Sequence, residues 1–494
     1  MNSPVEHLAR RLPTVLAWAL FFRYAHVWLE MARLPRRLAD EQRRFSQAAT
    51  AARGDALDLL VVVPALSEYA TLGRTLPTLL EAAGAETRAQ VQVVVVTTER
   101  ERSERRRLRA VLADPTLTGA TAGRSADQLG GNDEELIAAL RRATADGAPA
   151  EELRSLVDAW PYTWELAEEF PSTTWLHSPR TDGRMASQLN FAVERVGLVV
   201  PAGWKTASTY VCVYNADTVP QPDSFTCLVD TLLAHDRPPA AQLMCAPMLN
   251  FGDLASASGV TSAYLAGAAI YQSRWALGRE FRMYRVAVRR RRPSYYCRGH
   301  GMTLRLDTLL RHGGFEERTA LEDLFCGHLL SLERSHCPAV PVVERTASPA
   351  TLADLTRQKA YWFSGMLDLV HYGSWVADRG LRYRHAGQWA RLFAAGLLRD
   401  VLPWLLGPPA ALGVVVCASR QWRPWLLLPV LNAVCSTVLV LHALPGEVEG
   451  WPPSRGRSRA AVRLALGTLA YASTRNAGPL RASIARAACR PVRR

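Results

Sequence analysis

Short apolar runs alternate with helical patterns through the middle of the chain. The clearest strand patterns lie at Leu59–Val63, Val91–Val96 and Tyr210–Tyr214, and all three are rich in β-branched or aromatic residues. Strands that alternate with helical segments are typical of a parallel sheet covered by helices. The pattern therefore predicts an α/β fold.

The alternation breaks between Glu99 and Phe170, where the sequence becomes rich in arginine and glutamate and contains several glycines. Helical patterns recur inside this segment near Glu135–Ala143 and Glu151–Trp160. A long stretch between strands is typically an insertion. We therefore predict a helical or partly mobile insertion over about residues 100–170.

Two uncharged apolar runs follow toward the C-terminus, at about Val401–Ala418 and Pro424–Leu444. Both approach the roughly 20 residues that a helix needs to cross a bilayer. They predict a transmembrane hairpin within residues 386–446, although two buried core helices would have the same composition. Arginines before the first run and after Pro453 outnumber those in the connector, which predicts a cytoplasmic main domain and tail.

Both chain ends mix apolar residues with charges. The stretch Pro13–Ala32 contains ionisable side chains that are costly at a bilayer centre, so it either spans or lies in the interface. The segment Ala460–Cys489 predicts an amphipathic helix on anionic lipid, or else a solvated surface helix. We expect a membrane-associated segment over residues 1–50 and a basic segment over residues 447–494.

The net charge of the chain limits the classes of partner that it is expected to bind. The 494 residues carry a formal charge of +14, mostly from arginine, which indicates lipid headgroups, nucleic acid or a phosphorylated substrate. No nucleic-acid-binding module accompanies the arginines, so nucleic acid is not expected. Nine scattered cysteines form no CxxC pair, and no secretory signal precedes the first strand, as expected for a domain in the reducing cytoplasm.

Candidate ligand-binding residues follow the strands, where an open α/β sheet binds its ligands. Pro64 and Glu68 follow the first strand, and the carboxylate of Glu68 is suited to accept hydrogen bonds from a ribose or a base. Glu99 follows the second strand, where a solvated loop residue is the simpler interpretation. Asn215 and Asp217 follow the strand at Tyr210, and a diphosphate-bound cation needs only one or two such oxygens. An Asx-turn would use the same two residues.

Further short segments occur in a fixed order with these. They are Gly183–Ala192, Gly299–Met302, Gly313–Phe315, Leu321–Asp323 and Gln358–Trp362. Together with Val61–Glu68 and Asn215–Asp217, they resemble the family 2 glycosyltransferases of the GT-A fold. The resemblance covers about Leu59 to Gly365. Val61–Glu68 is similar to the family's nucleotide-binding strand, and Asn215–Asp217 is similar to its DxD motif. The other five segments are similar, in chain order, to its G-K-x-x-A-L-N segment, acceptor loop, GGF turn, ED motif and QxxRW signature.

Three positions depart from the family pattern. Asn215 replaces the first Asp of the DxD, Tyr361 stands at the Arg of QxxRW, and Thr97-Thr98-Glu99 replaces an Asp-rich loop. These departures concern metal affinity, diphosphate contact and donor identity. Arg357, beside Gln358, is a candidate for the missing cation.

The resemblance implies a Rossmann-like mixed sheet within a catalytic domain at residues 55–385. It implies inverting transfer of a sugar from a nucleotide-diphosphate donor, foremost a UDP-sugar, to a lipid-linked or glycan acceptor. Glu322 and Asp323 would be the catalytic carboxylates, with Asp323 as general base, and Asp217 with Asn215 would hold Mg²⁺ or Mn²⁺. The other implied residues are Pro64, Glu68, Glu99, Arg184 and Asn190 for the donor, and Gly299, His300, Gly301, Gln358 and Trp362 for the acceptor.

The implied location is the cytoplasmic face of the inner or plasma membrane, with membrane lipids as partners. Two alternatives remain open: transfer of a single sugar to a polyprenyl phosphate, and a catalytically silent membrane scaffold that retains the fold. The basic run Arg289–Arg292 is either a solvated surface or a contact to lipid phosphate.

Overall fold

A computed structural model describes residues 4–51, 57–113, 134–290, 297–444 and 457–488. The predicted strands at Leu59, Val91 and Tyr210 are confirmed. The strands of the described residues are β1 (Leu57–Pro64), β2 (Ala89–Thr98), β3 (Thr174–Ser178), β4 (Thr209–Val213), β5 (Thr218–Val219), β6 (Ala240–Ala246), β7 (Met302–Arg305) and β8 (Ala339–Thr346).

Helices precede, separate and follow these strands. They are α1 (Pro4–Ala32), α2 (Leu34–Ala51), α3 (Tyr69–Ala85), α4 (Arg100–Leu112), α5 (Glu134–Ala145), α6 (Ala150–Ala159), α7 (Leu166–Glu169), α8 (Met185–Glu194), α9 (Val196–Val199), α10 (Ser224–Ala234), α11 (Phe251–Ser256), α12 (Val260–Trp275), α13 (Phe281–Arg289), α14 (Leu306–Arg311), α15 (Glu322–Leu332), α16 (Leu352–Leu367), α17 (Tyr372–Asp378), α18 (Ala386–Gly396), α19 (Leu402–Leu405), α20 (Gly407–Ser419), α21 (Leu428–Ala443), α22 (Arg457–Thr474) and α23 (Ala477–Ala487). Single π-helical turns occupy Ala276–Glu280 and Leu397–Val401.

The chain divides into two compact units. The sheet unit contains residues 53–229 and 298–323, and the helical unit contains residues 1–52, 230–297 and 324–492. The predicted catalytic domain at residues 55–385 contributes to both units. Each unit is described by itself below.

The sheet unit contains a mixed sheet with the strand order β3-β2-β1-β4-β7. The first four strands are parallel, with Pro64 opposite Val96 and Val62 opposite Val213, so their carboxyl ends meet at one edge. Strand β7 alone runs antiparallel, with Thr303 opposite Cys212. Strand β1 is buried along almost its whole length, as expected for a strand covered on both faces. The α/β prediction is confirmed.

The insertion between β2 and β3 forms its own small helical core. Helices α4, α5 and α6 bury leucines and valines that include Leu108, Leu140 and Val157. Helices α5 and α6 repeat apolar residues at helical spacing, which is why the sequence predicts these two without any strand signal, whereas α4 is not among its predictions. Residues 114–133 lie outside the described part of the chain, and the prediction of mobility made for the insertion is not tested.

The helical unit is held together by close helix packing and by the parallel pair β6 and β8. Helices α12 and α22 cross at Gly267 and Gly467, where a Cβ atom on either glycine would overlap the backbone of the other helix. Small residues at such a crossing let two helices approach closely. Much of the predicted amphipathic tail, Ala460–Cys489, thus packs inside this unit. The structure does not describe Arg291, Arg292 and Cys489. The predictions for the basic run Arg289–Arg292 and for this tail therefore fall partly outside the described residues.

Within the described ranges, one helix, Arg423–Ala443, is long and apolar enough to cross a membrane. The first apolar run forms no straight helix, in contrast to the predicted hairpin: Gly387–Leu405 and Gly407–Ser419 meet at a 69° bend. The cause lies in the sequence Gly407-Pro408-Pro409, because proline lacks the N–H that would continue the preceding helix. The bent pair is therefore either a broken span or a re-entrant segment. The N-terminal α1 does not meet the same criteria of length and composition.

The basic residues predict the orientation of this region. We expect a reporter fused after Arg494 to behave as cytoplasmic, and one inserted between Ser419 and Arg423 to behave as external, because arginine-rich segments are retained on the cytoplasmic side. Paired alkaline phosphatase and fluorescent-protein fusions measure this. Cytoplasmic signals at both positions would contradict two crossings and leave a protein held at one face.

Candidate functional site

The turn after β1 is tied to its neighbours through backbone atoms. The amide of Ala65 donates to Val96 O at 2.9 Å, and Gln188 Nε2 donates to both Ala65 O (2.9 Å) and Val96 O (2.8 Å). Gln188 is buried, so this amide joins the ends of β1 and β2 without competition from water. The predicted residue Pro64 begins this turn. The structural role of Gln188 has no signal in the sequence beyond its place in the Gly183–Ala192 segment.

Glu68 is held by the insertion. Its backbone N–H donates to Thr163 Oγ1 at 2.9 Å, and the N–H of Thr163 donates to the carboxylate of Glu101 at 3.1 Å. Arg105 pairs with Glu101 at 2.9 Å and donates to the carbonyls of Trp160 and Pro161. Burial raises the pKa of Glu101, and the charge of Arg105 and the Thr163 bonds oppose that rise. The insertion is therefore built onto the predicted nucleotide-binding turn.

Glu99 lies at the same edge and has protein partners. Its carboxylate binds Arg102 at 2.8 Å and His177 Nε2 at 3.2 Å, while His177 Nδ1 contacts Thr97 Oγ1 at 2.9 Å. Trp164 packs edge-on against His177, with ring centroids 5.0 Å apart. A donor nucleotide would have to share Glu99 with these partners.

The insertion also places aromatic rings beside Glu99. Tyr162 and Trp164 stack at 4.2 Å with an interplanar angle of 11°, and the guanidinium of Arg102 lies 5.2 Å from the Trp164 ring. Both rings are partly accessible. The sequence signal for this platform is the aromatic cluster that follows Pro161, which the motif comparison leaves out.

The loop after β4 carries Asn215 and Asp217. Thr75 Oγ1 of α3 donates to Ala216 O at 2.5 Å, and the N–H of Thr218 donates to Asn215 O at 3.2 Å. Ala216 is buried between two partly exposed residues, so Asn215 and Asp217 both reach the surface of the loop. The one-residue spacing therefore places both oxygens at the carboxyl edge.

His300 supports this loop from the strand that returns beside β4. Its Nδ1 accepts the backbone N–H of Asn215 at 3.3 Å, and its ring meets Tyr214 edge-on at 4.6 Å. The imidazole is 5% exposed. Gly301, at φ 70°, donates its N–H to Val213 O at 2.8 Å. A ring nitrogen that accepts this bond leaves the proton on Nε2 in neutral histidine. The predicted acceptor residue thus packs beneath the predicted metal loop.

Gly299 joins the same loop to the predicted catalytic carboxylates. A Cβ atom on Gly299 would lie 3.5 Å from Asp323 Oδ2 and 3.9 Å from Glu322 Oε1, both in ordinary van der Waals contact. Glu322 and Asp323 form the first turn of α15, and Asp323 is partly exposed whereas Glu322 is buried. Of two consecutive residues, Gly299 therefore faces the base candidate across the space of one Cβ atom, and His300 binds the metal-loop backbone.

Arg184 directly precedes α8 and Asn190 lies on it, and their side chains have different surroundings. Arg184 precedes the first turn and has an exposed side chain. Asn190 is engaged by the GGF turn: its Oδ1 accepts the N–H of Phe315 at 2.8 Å, and its Nδ2 donates to Phe315 O and Glu317 Oε1, both at 3.0 Å. The predicted donor contact of Asn190 is therefore accompanied by a structural one that the sequence does not indicate.

Gln358 and Trp362 belong to α16 in the helical unit. Lys359 lies between them, with Nζ donating to Gln358 Oε1 at 2.8 Å and lying 3.7 Å from the centre of the Trp362 ring. Lys359 is buried, while Arg357 pairs with Asp354 at 3.3 Å. The cation that contacts Gln358 and Trp362 is thus Lys359, and the suggestion that Arg357 supplies the cation missing from the motif stays a prediction. The position of Lys359 directly after Gln358 is the sequence signal for it.

The oxygen ligands suit a cation shared with a bound diphosphate. No cluster of three or more His, Cys, Asp or Glu side chains able to hold a metal occurs in the described ranges. Mg²⁺ commonly takes one or two protein oxygens and completes its shell with phosphate and water. Asp217 with Asn215 matches that mode, and a cage made only of protein ligands is not found in this part of the chain.

A family model supports the resemblance over part of the chain. Residues 210–441 match the family model described as Glycosyl transferase family group 2, which is slightly less than half of the chain. No curated protein matches the sequence.

Solved structures of two proteins share a low overall similarity with the chain. One is the mannosyltransferase PcManGT from Pyrobaculum calidifontis in complex with GDP-Man and Mn²⁺, with 13% identity, a TM-score of 0.38, and coverage of 90% of this chain and 98% of the other. The other is residues 1–349 of S. aureus TarS, alone and with UDP-GlcNAc, with 10% identity, a TM-score of 0.36, and coverage of 85% and 91%. Similarity at this level identifies neither donor nor acceptor for this chain.

The GGF turn offers a test of the site's construction. Gly314 has φ +76°, and a Cβ atom there would lie 2.7 Å from Asn190 Oδ1. We expect Gly314→Ala to lower stability by about 1–2 kcal/mol, because a left-handed alanine is strained and displaces the Asn190 amide. Thermal unfolding of the purified protein measures this. Gly84→Ala is the control, since helix α3 leaves open space there and alanine is the better helix former. Equal melting temperatures for the two variants would contradict the strain at Gly314.

Proposed function

We propose that this protein, a glycosyltransferase of the family 2 type, moves a sugar from a nucleotide-diphosphate donor to a lipid-linked or glycan acceptor, with inversion at the anomeric carbon. The observation that carries the proposal is the position of residues 299–300 between Asp323 and the loop of Asn215. Gly299 lies against Asp323, and His300 binds the backbone of Asn215. A base candidate and a diphosphate-binding loop are thus held by two consecutive residues.

Asp323 is the proposed general base. Transfer requires that the acceptor hydroxyl lose its proton as its oxygen attacks the anomeric carbon. Asp323 is partly exposed in the first turn of α15, so an acceptor can reach its carboxylate. Gly299 presents only a hydrogen toward that carboxylate, which leaves room for a hydroxyl group. One attacking group and one leaving group, with no nucleophile between them, give inversion.

Asp217 and Asn215 are the proposed protein ligands of Mg²⁺ or Mn²⁺. When bound, the cation would neutralise charge on the departing diphosphate. The exposed guanidinium of Arg184 is proposed to bind the diphosphate directly, since a planar fork suits phosphate oxygens. Pro64, Glu68 and the Trp164 platform are proposed to hold the nucleoside at the ends of β1 and β2.

The proposed location is the cytoplasmic face of the plasma or inner membrane. The apolar helix Arg423–Ala443 and the bent pair before it support this, as does the excess of positive charge. Nucleotide sugars are made in the cytoplasm, so the sheet unit would face that side. The small number of candidate spans favours transfer of a single sugar to a polyprenyl phosphate over secretion of a polymer. The Gln358–Trp362 segment, in contrast, favours synthesis of a polymer.

Replacing the proposed base should separate chemistry from binding. We expect Asp323→Asn to lower kcat by about 100-fold or more while nucleotide affinity stays within a factor of about two, because the amide keeps the shape but takes no proton. Transfer assays and calorimetric titration with UDP measure the two effects. Glu194→Gln, an exposed carboxylate on the same unit, serves as control. Parallel loss of nucleotide binding would instead make Asp323 a structural residue.

Removing the proposed metal ligand should abolish the response to divalent cations. We expect wild-type activity to disappear in excess chelator and to return with Mn²⁺ or Mg²⁺, and Asp217→Ala to show no such return. Binding of Mn²⁺ in the presence of UDP, followed by electron paramagnetic resonance, gives a readout independent of turnover. Asp182→Ala removes an exposed carboxylate elsewhere on this unit and should behave as wild type. Full activity of the wild type in excess chelator would refute the metal assignment.

A further inference from the structure

A cavity of about 420 Å³ in the helical unit is lined by three arginines. Arg23 comes from α1, Arg279 from the turn after α12, and Arg399 from the turn after α18. The rest of its wall is apolar and includes Ala394, Leu398 and Pro403. A cavity of this size is within the usual range for small-ligand sites. Its lining combines a cationic surface with an apolar one.

Two of the three arginines occupy π-helical turns. Arg279 lies in Ala276–Glu280, and Arg399 lies in Leu397–Val401. A π-helical turn is an extra residue inserted into a helix, which redirects side chains and occurs frequently at functional sites. The two turns are also joined, since Arg279 Nη2 donates to Arg399 O at 2.9 Å. The local backbone thus departs from regular helix at both places where it presents a guanidinium.

Arg279 has unused hydrogen-bonding capacity. Its Nη1 is buried and has no hydrogen-bond partner among the described residues. Its guanidinium packs 3.9 Å from the ring centre of Trp275 and lies 3.8 Å from Asp400, which is beyond hydrogen-bond distance. A buried donor without an acceptor is costly. The Arg279 side chain as a whole is 26% exposed, so an anion in the cavity can contact the guanidinium, and a small rotation that brings Nη1 to this anion would satisfy the unmet donor.

Positive charge exceeds negative charge around the cavity. Arg274 and Arg475 each lie 5.3 Å from the ring of Tyr271, and Arg475 donates to the carbonyl of Pro403 in the cavity wall. Asp400 and Glu280 are carboxylates close to Arg279. Burial would raise the pKa of Tyr271, yet the pKa is lowered, because Arg475, Arg274, Arg23 and Arg279 together outweigh the burial. The local field therefore favours an anion.

Exposed apolar side chains flank the cationic lining. Leu398 is 65% exposed and lines the cavity, and Phe22, beside Arg23, is 63% exposed. Further exposed large apolar residues lie nearby along the chain, Leu29 on the helix of Phe22 and Leu406 in the turn that follows the helix of Leu398. Water-exposed leucine and phenylalanine beside a phosphate-sized charge suit a ligand that carries a charged head and a hydrocarbon chain.

We propose that this cavity binds the phosphate group of a phosphorylated lipid, with Arg23, Arg279 and Arg399 contacting the phosphate and Leu398 and Phe22 contacting the hydrocarbon chain. Basic pockets beside membrane helices bind anionic headgroups by the same concentration of positive charge. Arginine suits the role because its fork matches phosphate oxygens. The inference does not depend on sugar transfer, since binding requires no donor and no catalytic carboxylate.

The full-length protein in a neutral detergent is titrated with dodecyl phosphate, with inorganic phosphate and with dodecyl maltoside as chain-only control. We expect dodecyl phosphate to bind measurably tighter than inorganic phosphate and dodecyl maltoside to show no saturable binding. We expect Arg23→Gln and Arg399→Gln each to weaken dodecyl phosphate about fivefold, the effect of one basic residue near an anionic lipid surface. Arg23→Gln is the safer variant for folding, because this side chain is exposed.

Arg36→Gln is the matched control, since it removes the same charge from an exposed position on α2 of the same unit. A loss of affinity in Arg36→Gln equal to that in Arg23→Gln would overturn the site in favour of a diffuse basic surface. Equal affinities for inorganic and dodecyl phosphate would overturn the lipid component. Sedimentation with phosphatidylcholine vesicles, with and without phosphatidylglycerol, distinguishes a membrane phospholipid from a lipid phosphomonoester. Binding to dodecyl phosphate without a preference for phosphatidylglycerol vesicles supports a lipid phosphomonoester. A preference for phosphatidylglycerol vesicles that Arg23→Gln removes supports a membrane phospholipid.

Discussion

The antiparallel return of β7 beside β4 is the constraint on which the candidate site depends. Parallel strands bring their own carboxyl ends to one edge, but they do not bring a distant loop there. Because β7 runs the opposite way, the loop that precedes it arrives at the edge where β4 ends. Gly301 donates to Val213, and His300 then reaches the backbone of Asn215. The next residue back, Gly299, lies against Asp323. Three predicted motifs thus meet through one reversal of strand direction.

The insertion has a second structural role at the same edge. Its Thr163 holds the backbone of Glu68, and its buried pair Glu101 and Arg105 holds Thr163. A buried ion pair contributes little net stability, but losing one partner is costly because the other charge stays buried. Such a pair is better suited to specify one geometry than to stabilise the fold. The predicted nucleotide-binding turn is therefore shaped by Thr163, which lies 95 residues further along the chain.

Charge in the helical unit is organised around aromatic rings and carbonyls. Lys359 lies over Trp362, Arg279 over Trp275, and Arg475 near Tyr271 while donating to Pro403 O. These contacts let cations enter a largely apolar helix assembly at a tolerable energy, since ring faces and carbonyl oxygens are partial acceptors. The same arrangement leaves a positive field at the cavity bordered by Arg23. The formal charge of the chain is thus concentrated inside a unit that also carries the apolar helix Arg423–Ala443.

The sequence by itself determined the α/β class, the main strands, the order of the motifs and the apolar helix at Arg423. These are local properties, because strand and helix periodicity, glycine and proline positions, and motif spacing can be read along the chain. Only the tertiary structure decided that Asn190 holds the GGF turn, that Lys359 accompanies Gln358, and that α22 packs against α12 through Gly467. Each of these contacts joins residues whose pairing depends on three-dimensional distance or side-chain direction. The bend at Gly407 lies between the two cases: the prolines that cause it are visible in the sequence, but only the structure gives its angle of 69°.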